Sequence, residues 1–294
     1  MLGIAFFLSW FEGLITGLRI YFLMRVINPR ITILTSIKAA YANIFMGAIT
    51  PSQTGGGVAQ IYFISREKIP YSQASAGSIV SFVCTLFFLI TALISTAMFH
   101  SPTMGYSLQL MIKSASVAVG SMTLIFIICM LFTHLINDLK FFLFKHFINK
   151  GIIKDKNGKI ENFLKKFAEG LVNCRESILL MAERGKMALI VGYLFTCLFF
   201  AVRLIIPYFI ILGLGGSVSV VDVMYIQLFI ILLSYFSPTP GASGIAEVSS
   251  LVLMASLVAS PVAAIYTFLW RMCTLYVNST IGGILLYREL KTAE

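Results

Sequence analysis

Charge is scarce in this chain: only 12% of its 294 residues are Asp, Glu, Lys or Arg, against roughly 25% in an ordinary soluble domain. Histidine is scarcer still, with three residues. The five cysteines show no C-x-x-C spacing; Cys84, Cys129, Cys197 and Cys273 fall in apolar stretches and Cys174 in a basic one. Neither a metal site nor a redox pair is indicated, and no cofactor is expected. No basic segment precedes the first apolar run, so a cleavable signal peptide is not expected. What remains is apolar, 59% hydrophobic with a mean hydropathy of +0.93, which makes the chain an integral membrane protein. Stretches 1–24, 74–99, 117–137, 187–212 and 262–287 each reach the length of about 20 residues that crosses a bilayer. Two more, 33–64 and 222–258, are interrupted by proline and glycine.

Those interruptions resemble one another. Residues 51–60 read PSQTGGGVAQ and 238–247 read PTPGASGIAE; a shift of 187 positions lays Pro51 on Pro238, Gly57 on Gly244 and Gln60 on Glu247. Broken apolar segments at matching places in two halves are the sequence mark of a transporter-like site at the repeat interface. Gly55, Gly56, Gly57, Gly241 and Gly244 would free the backbone for sharp turns, with Pro51, Pro238 and Pro240 at the same tips. Amides at such a tip would also favour an anion.

The net charge of +10 follows from position rather than from nucleic-acid binding, since eleven of the 22 basic residues lie in 138–186. Basic residues concentrate in cytoplasmic loops. With 138–186 inside, and each broken segment entering and leaving on one side, 18 of the 22 fall on the cytoplasmic face. Lys113 alone falls outside, while Arg19, Arg203 and Arg271 lie within spans. The predicted fold is therefore an all-α polytopic membrane protein of two inverted repeats, each with a re-entrant hairpin, tips meeting near the midplane. Two kinked helices packed through small residues are the plainer alternative.

Asn43, the run Pro51 to Gln60 with Arg66, and Ser237-Pro238-Thr239-Pro240-Gly241 with Gly244 and Glu247 resemble the transmembrane region of lysylphosphatidylglycerol synthases (the MprF type) and its stand-alone flippase-like relatives. The resemblance covers nearly the whole chain. It implies lipid metabolism and lipid transport in a cell membrane, and a link to antibiotic resistance. The chain departs from the pattern in three ways: Gln60 stands where an acid is usual, 78–87 lacks an arginine usual there, and the N-terminus looks one span short. Full-length synthases add a soluble domain that moves lysine from aminoacyl-tRNA to phosphatidylglycerol. The sequence ends at Glu294, so this polypeptide alone is expected not to be an enzyme.

Ionisable groups inside a bilayer are costly and point to function. Arg203 and Arg271 come to similar depth, and their planar forks suit a lipid phosphate, with Glu247 orienting or neutralising them. A structural Arg–Glu pair at the second hairpin is the alternative. Arg19 lies toward the cytoplasmic end of its helix and is expected to snorkel. Glu12 either holds a proton for coupled transport or pairs with an arginine of the other half. Gly241-Ala242-Ser243-Gly244 invites a rhomboid-type serine-protease reading. That chemistry needs a base, and His100, His134 and His146 all lie upstream.

Residues 138–186 read as two amphipathic helices with basic faces. Phe141, Phe142, Phe144 and Phe147 alternate with lysines, and Ile160, Phe163, Leu164, Phe167, Leu171, Cys174, Ile178 and Met181 recur at helical spacing. They would lie on an anionic leaflet or pack on the ends of the spans. The expected organisation is one domain, 1–294: repeat one over 1–99, an outer loop and span over 100–137, the basic helices, and repeat two over 187–288. The expected function is flipping of an anionic phospholipid, aminoacyl-phospholipid or polyprenyl-phosphate lipid across a bacterial-type cytoplasmic membrane, C-terminus inside. The alternatives are a non-transporting module partnering a lipid-modifying enzyme or glycosyltransferase, or a part of lysyl-lipid synthesis whose catalytic domain is elsewhere. Expected partners are membrane lipids, with an oligomer compatible and no nucleic acid.

Overall fold

Thr32 and Asn28–Pro29 set the first boundaries. A proline disfavours helix in the residue before it, so α1 (Leu2–Ile27) stops at Asn28; the Thr32 hydroxyl then accepts the Thr35 N–H at 3.1 Å and caps α2 (Ile33–Ile49). A 3-10 turn at Pro51–Gln53 leads into α3 (Thr54–Ser65), and α4 (Tyr71–Met98) follows. Further along come α5 (Lys186–Gly213), α6 (Val220–Tyr235), a 3-10 turn at Pro240–Ala242 and α7 (Ile245–Leu253). The last elements are α8 (Ala263–Arg271), a π segment at Met272–Tyr276 and α9 (Val277–Lys291). These come from a computed structural model that describes residues 1–98, 176–235 and 237–291, with positions 114, 117, 121 and 172. Among the described residues no strand occurs.

Large apolar side chains face outward, and the mostly apolar interior also takes in polar ones, unlike a soluble fold. Ser9, Glu12, Gln227, Ser250 and Asn278 are fully buried, while Phe7, Trp10, Leu194, Val252 and Phe268 are exposed. So broad an apolar exterior suits a lipid environment rather than water. Among the described residues, three helical stretches are long and apolar enough to cross a membrane: Leu2–Ile27, Tyr71–Ala92 and Lys186–Gly213. Of the other two stretches predicted to span, 117–137 lies outside the described residues apart from 117 and 121. The last, 262–287, is helical but not one α-helix, because the π segment divides it. The wide π turn frees a backbone carbonyl, and Ser9 of α1 donates its hydroxyl to that of Cys273.

Helices α1 and α5 pack antiparallel along the middle: Leu2 lies against Gly213, Leu23 against Gly192 and Val26 against Gly185. Helix α2 packs lengthwise on α3, and α6 on α7. Both open ends of the α2–α3 pair lie at one pole. There Thr35 donates to Glu67, Arg30 donates to the Lys68 carbonyl at 3.4 Å, and Glu289 of α9 meets Lys38 at 3.5 Å and Arg66 at 3.2 Å. The open ends of α6–α7 lie at the opposite pole, where Val223, Met254 and Val258 form a core with Ala5, Ile210 and Ile211. Between the poles the two 3-10 turns touch.

Of the basic helices predicted over 138–186, residues 138–171 and 173–175 lie outside the described residues, as does most of 100–137. Residues 176–184 are helical, and Met181 is fully buried in the core of α1 to α4 beside Ile27 and Ile31. This end of the stretch packs on the helix ends.

Candidate functional site

The tips are built by consecutive left-handed residues. In the first, Ser52 and Gln53 have φ of 50° and 57°; in the second, Gly241 and Ala242 have φ of 58° and 59°. This corrects the role expected of Gly55, Gly56 and Gly57, which do not make the turn but lie in the first turn of α3. Their smallness matters there instead: a Cβ on Gly56 would come 2.8 Å from the Asn43 carbonyl, and one on Gly55 2.6 Å from Thr50. In the second tip Gly241 and Gly244 do supply positive φ, Gly244 at 85°. Pro51 and Pro240 each open a 3-10 turn. The tips therefore match at a shift of 189 rather than 187, and Pro51 corresponds to Pro240, not Pro238.

The offset separates Gln60 from Glu247. Gln60 is the seventh residue of α3, whereas Glu247 is the third of α7. Gln60 closes an uncharged chain, accepting from Asn43 at 2.8 Å and donating to Ser78 at 3.0 Å. Glu247 instead lies beside its tip, where its Oε2 accepts the Gly244 N–H at 2.6 Å. A carboxylate here also meets the positive end of the α7 dipole.

Where the tips meet, a cavity of about 160 Å³ opens, lined from the first tip by Gly47, Ala48 and Gln53 and from the second by Gly241 and Ala242. Three arginines line it: Arg19 of α1, Arg203 of α5 and Arg271 at the end of α8. Among the described residues no carboxylate lines it. Arg271 is buried, with Nε 2.8 Å from Glu247 Oε1 and Nη2 donating to the Gly241 carbonyl at 2.8 Å. Arg203 Nη1 meets Glu12 Oε2 at 3.3 Å. The Glu12 side chain is 1% exposed and its second oxygen has no partner, while Arg203 is 28% exposed. Of the two readings of Glu12, the structure places it against an arginine of the other half. Arg203 and Arg271, singled out together from the sequence, reach one cavity; Glu247 pairs with Arg271 alone.

Arg19 was missed as a partner of these two. Its Nη1 donates to Thr85 at 3.2 Å and Thr196 at 3.3 Å, on α4 and α5. Eight residues separate it from Ile27, about 12 Å of helix, so it turns inward rather than snorkelling. Among the described residues no carboxylate forms a salt bridge with it. The signal was present in the spacing: Ser9, Glu12, Thr16 and Arg19 recur every three or four residues and so share one helix face. All three histidines lie outside the described residues.

The fold and this cavity define a polytopic α-helical membrane protein with an arginine-lined interior. The chain belongs to the family described as lysylphosphatidylglycerol synthase TM region, which it matches over residues 1–282. It is 27% identical over 284 residues to a UPF0104 membrane protein of Archaeoglobus fulgidus, covering 97% of this chain and 85% of the relative. It is 25% identical over 272 residues to the UPF0104 membrane protein PH1989 of Pyrococcus horikoshii, covering 90% and 79%. No solved structure matches the chain.

Proposed function

We propose that this protein moves an anionic phospholipid, aminoacyl-phospholipid or polyprenyl-phosphate lipid across the cytoplasmic membrane, and does no covalent chemistry of its own. The observation that carries the reading is the convergence of Arg19, Arg203 and Arg271 on one cavity at the meeting of two broken segments. Guanidinium forks suit phosphate, and Arg19, which meets no carboxylate among the described residues, is otherwise hard to account for inside a membrane. Family membership adds to this.

In this reading α2–α3 and α6–α7 are re-entrant hairpins of two inverted repeats within one domain, repeat one over 1–99 and repeat two over 187–288. Their opposite openings and touching tips support it. The pole carrying Arg25, Arg30, Lys38, Arg66, Lys68 and Arg288 is then cytoplasmic, and the C-terminus with it. Alternating access would open the cavity to one side at a time, as in other repeat-built transporters.

The test is headgroup exchange in proteoliposomes carrying labelled anionic lipid in the inner leaflet. The wild type should accelerate exchange, and the Arg203→Gln/Arg271→Gln protein should not. If the wild type matches protein-free vesicles, the docking-module reading replaces this one.

A further inference from the structure

The three arginines are not equivalent, and their difference narrows what the cavity accepts. Arg203 and Arg271 are each held by a carboxylate that sits outside the lining. Among the described residues Arg19 is held only by two threonine hydroxyls, and its Nε has no partner. Both hydroxyls already donate to carbonyls of their own helices, Thr85 to Ser81 at 3.2 Å and Thr196 to Gly192 at 2.8 Å. They therefore serve Arg19 as acceptors and leave its positive charge unneutralised. Trp270 lines the same cavity and is 3% exposed, and among the described residues its buried indole N–H has no partner. Hydrogen bonds to a charged partner are the strong ones, and a buried donor left unmade is costly.

Charge sets the second limit. A cavity of about 160 Å³ has room for a phosphate group. A phosphate monoester brings up to two negative charges to the guanidiniums and a phosphodiester only one, while a lysyl ester adds ammonium groups that they would repel.

Resting on the transport reading, we propose that the cavity is a terminal-phosphate site anchored by Arg19 and capped by the Trp270 N–H. It would take a phosphate monoester at the end of a lipid rather than a phosphodiester carrying a further headgroup. Polyprenyl monophosphate and phosphatidate have this chemistry; phosphatidylglycerol and its lysyl ester do not.

Trp270 also provides the readout, because the chain has only two tryptophans and the other, Trp10, is exposed. In a Trp10→Phe background, Trp270 fluorescence is titrated with polyprenyl monophosphate, phosphatidate, phosphatidylglycerol, lysylphosphatidylglycerol and inorganic phosphate. Retained lipid is identified in parallel by native mass spectrometry. The two monoesters should bind about tenfold or more tightly than the two diesters, as expected of one extra charge-assisted hydrogen bond. Arg19→Gln should erase that preference, and Arg19→Lys, which keeps the charge without the fork, should restore part of it and report on folding.

Equal or tighter binding of the diesters overturns the terminal-phosphate site while leaving anionic-lipid transport standing, provided they exchange in the vesicle assay. Inorganic phosphate binding as tightly as the lipid monoesters overturns the lipid source and makes the ligand free phosphate. An Arg19→Gln protein that elutes as the wild type and keeps the preference overturns the anchor.

Discussion

Glu12 and Arg203 are unequal partners. Arg203 is 28% exposed and reaches the cavity, where water can solvate it, whereas Glu12 is 1% exposed with one oxygen already unpaired. Removing either member of a buried pair leaves the other's charge uncompensated, at a cost of about 3–5 kcal/mol when that charge stays buried. Arg203→Gln should therefore lower the apparent melting temperature in detergent clearly more than Glu12→Gln, and adding Glu12→Gln to Arg203→Gln should recover most of the loss. Equal losses for the two single variants would contradict the asymmetry. From the sequence, Glu12, Arg203, Arg271 and Glu247 were legible as intramembrane charges, because the cost of burying a charge holds whatever the fold. Arg19 was legible as one too but was expected to snorkel, since its inward turn depends on Thr85 and Thr196, which lie 66 and 177 residues away. The two pairings, Glu12 with an arginine of the other half and an Arg–Glu pair at the second hairpin, were each open as one of two readings; that Arg203 takes the first and Arg271 the second was not legible.

At the scale of elements, glycine serves two purposes that composition cannot separate. Gly282 of α9 lets that helix press on α2: a Cβ there would meet the Tyr41 carbonyl at 2.1 Å and Phe45 at 2.8 Å. Gly57 of α3 has nothing within 4 Å of an added Cβ and an ordinary helical backbone. Gly57→Ala should be neutral or stabilising by up to about 1 kcal/mol. Gly282→Ala should destabilise by about 1–3 kcal/mol or more, since a backbone carbonyl cannot rotate away as a side chain can. Paired thermal-unfolding curves check both, and a silent Gly282→Ala would show that α9 shifts without loss. The breaks in the two segments were legible because proline and glycine mark both. Their two-residue offset was not, because Ser52 and Gln53 adopt in the first tip the left-handed pair that Gly241 and Ala242 adopt in the second.

For the whole molecule, the two poles carry the topology. The basic pole gathers the ends of α1, α3 and α9 with the starts of α2 and α4, and the other gathers the start of α1, the end of α5 and the starts of α6 and α8. On a cysteine-free background, Arg30→Cys and Ser217→Cys should react with a membrane-impermeant maleimide from opposite faces of sealed vesicles. Labelling of both from one face would overturn the proposed orientation. Charge partition made the basic pole readable from sequence, while residues 138–175 apart from 172 lie outside the described residues.

Glu289, near the end of α9, holds Lys38 and Arg66, one from each leg of the α2–α3 pair. Exposed ion pairs of this kind contribute only about 0–1 kcal/mol each, but the helix they belong to also lies against α2 through Gly282. The last helix of the chain is thus mechanically part of the first hairpin. If the protein rocks between two states, the bodies that part are not the two sequence repeats: repeat one would carry a piece of repeat two with it. A crosslink fixing α9 to α2 would then leave transport running, while one fixing the two tips together would stop it.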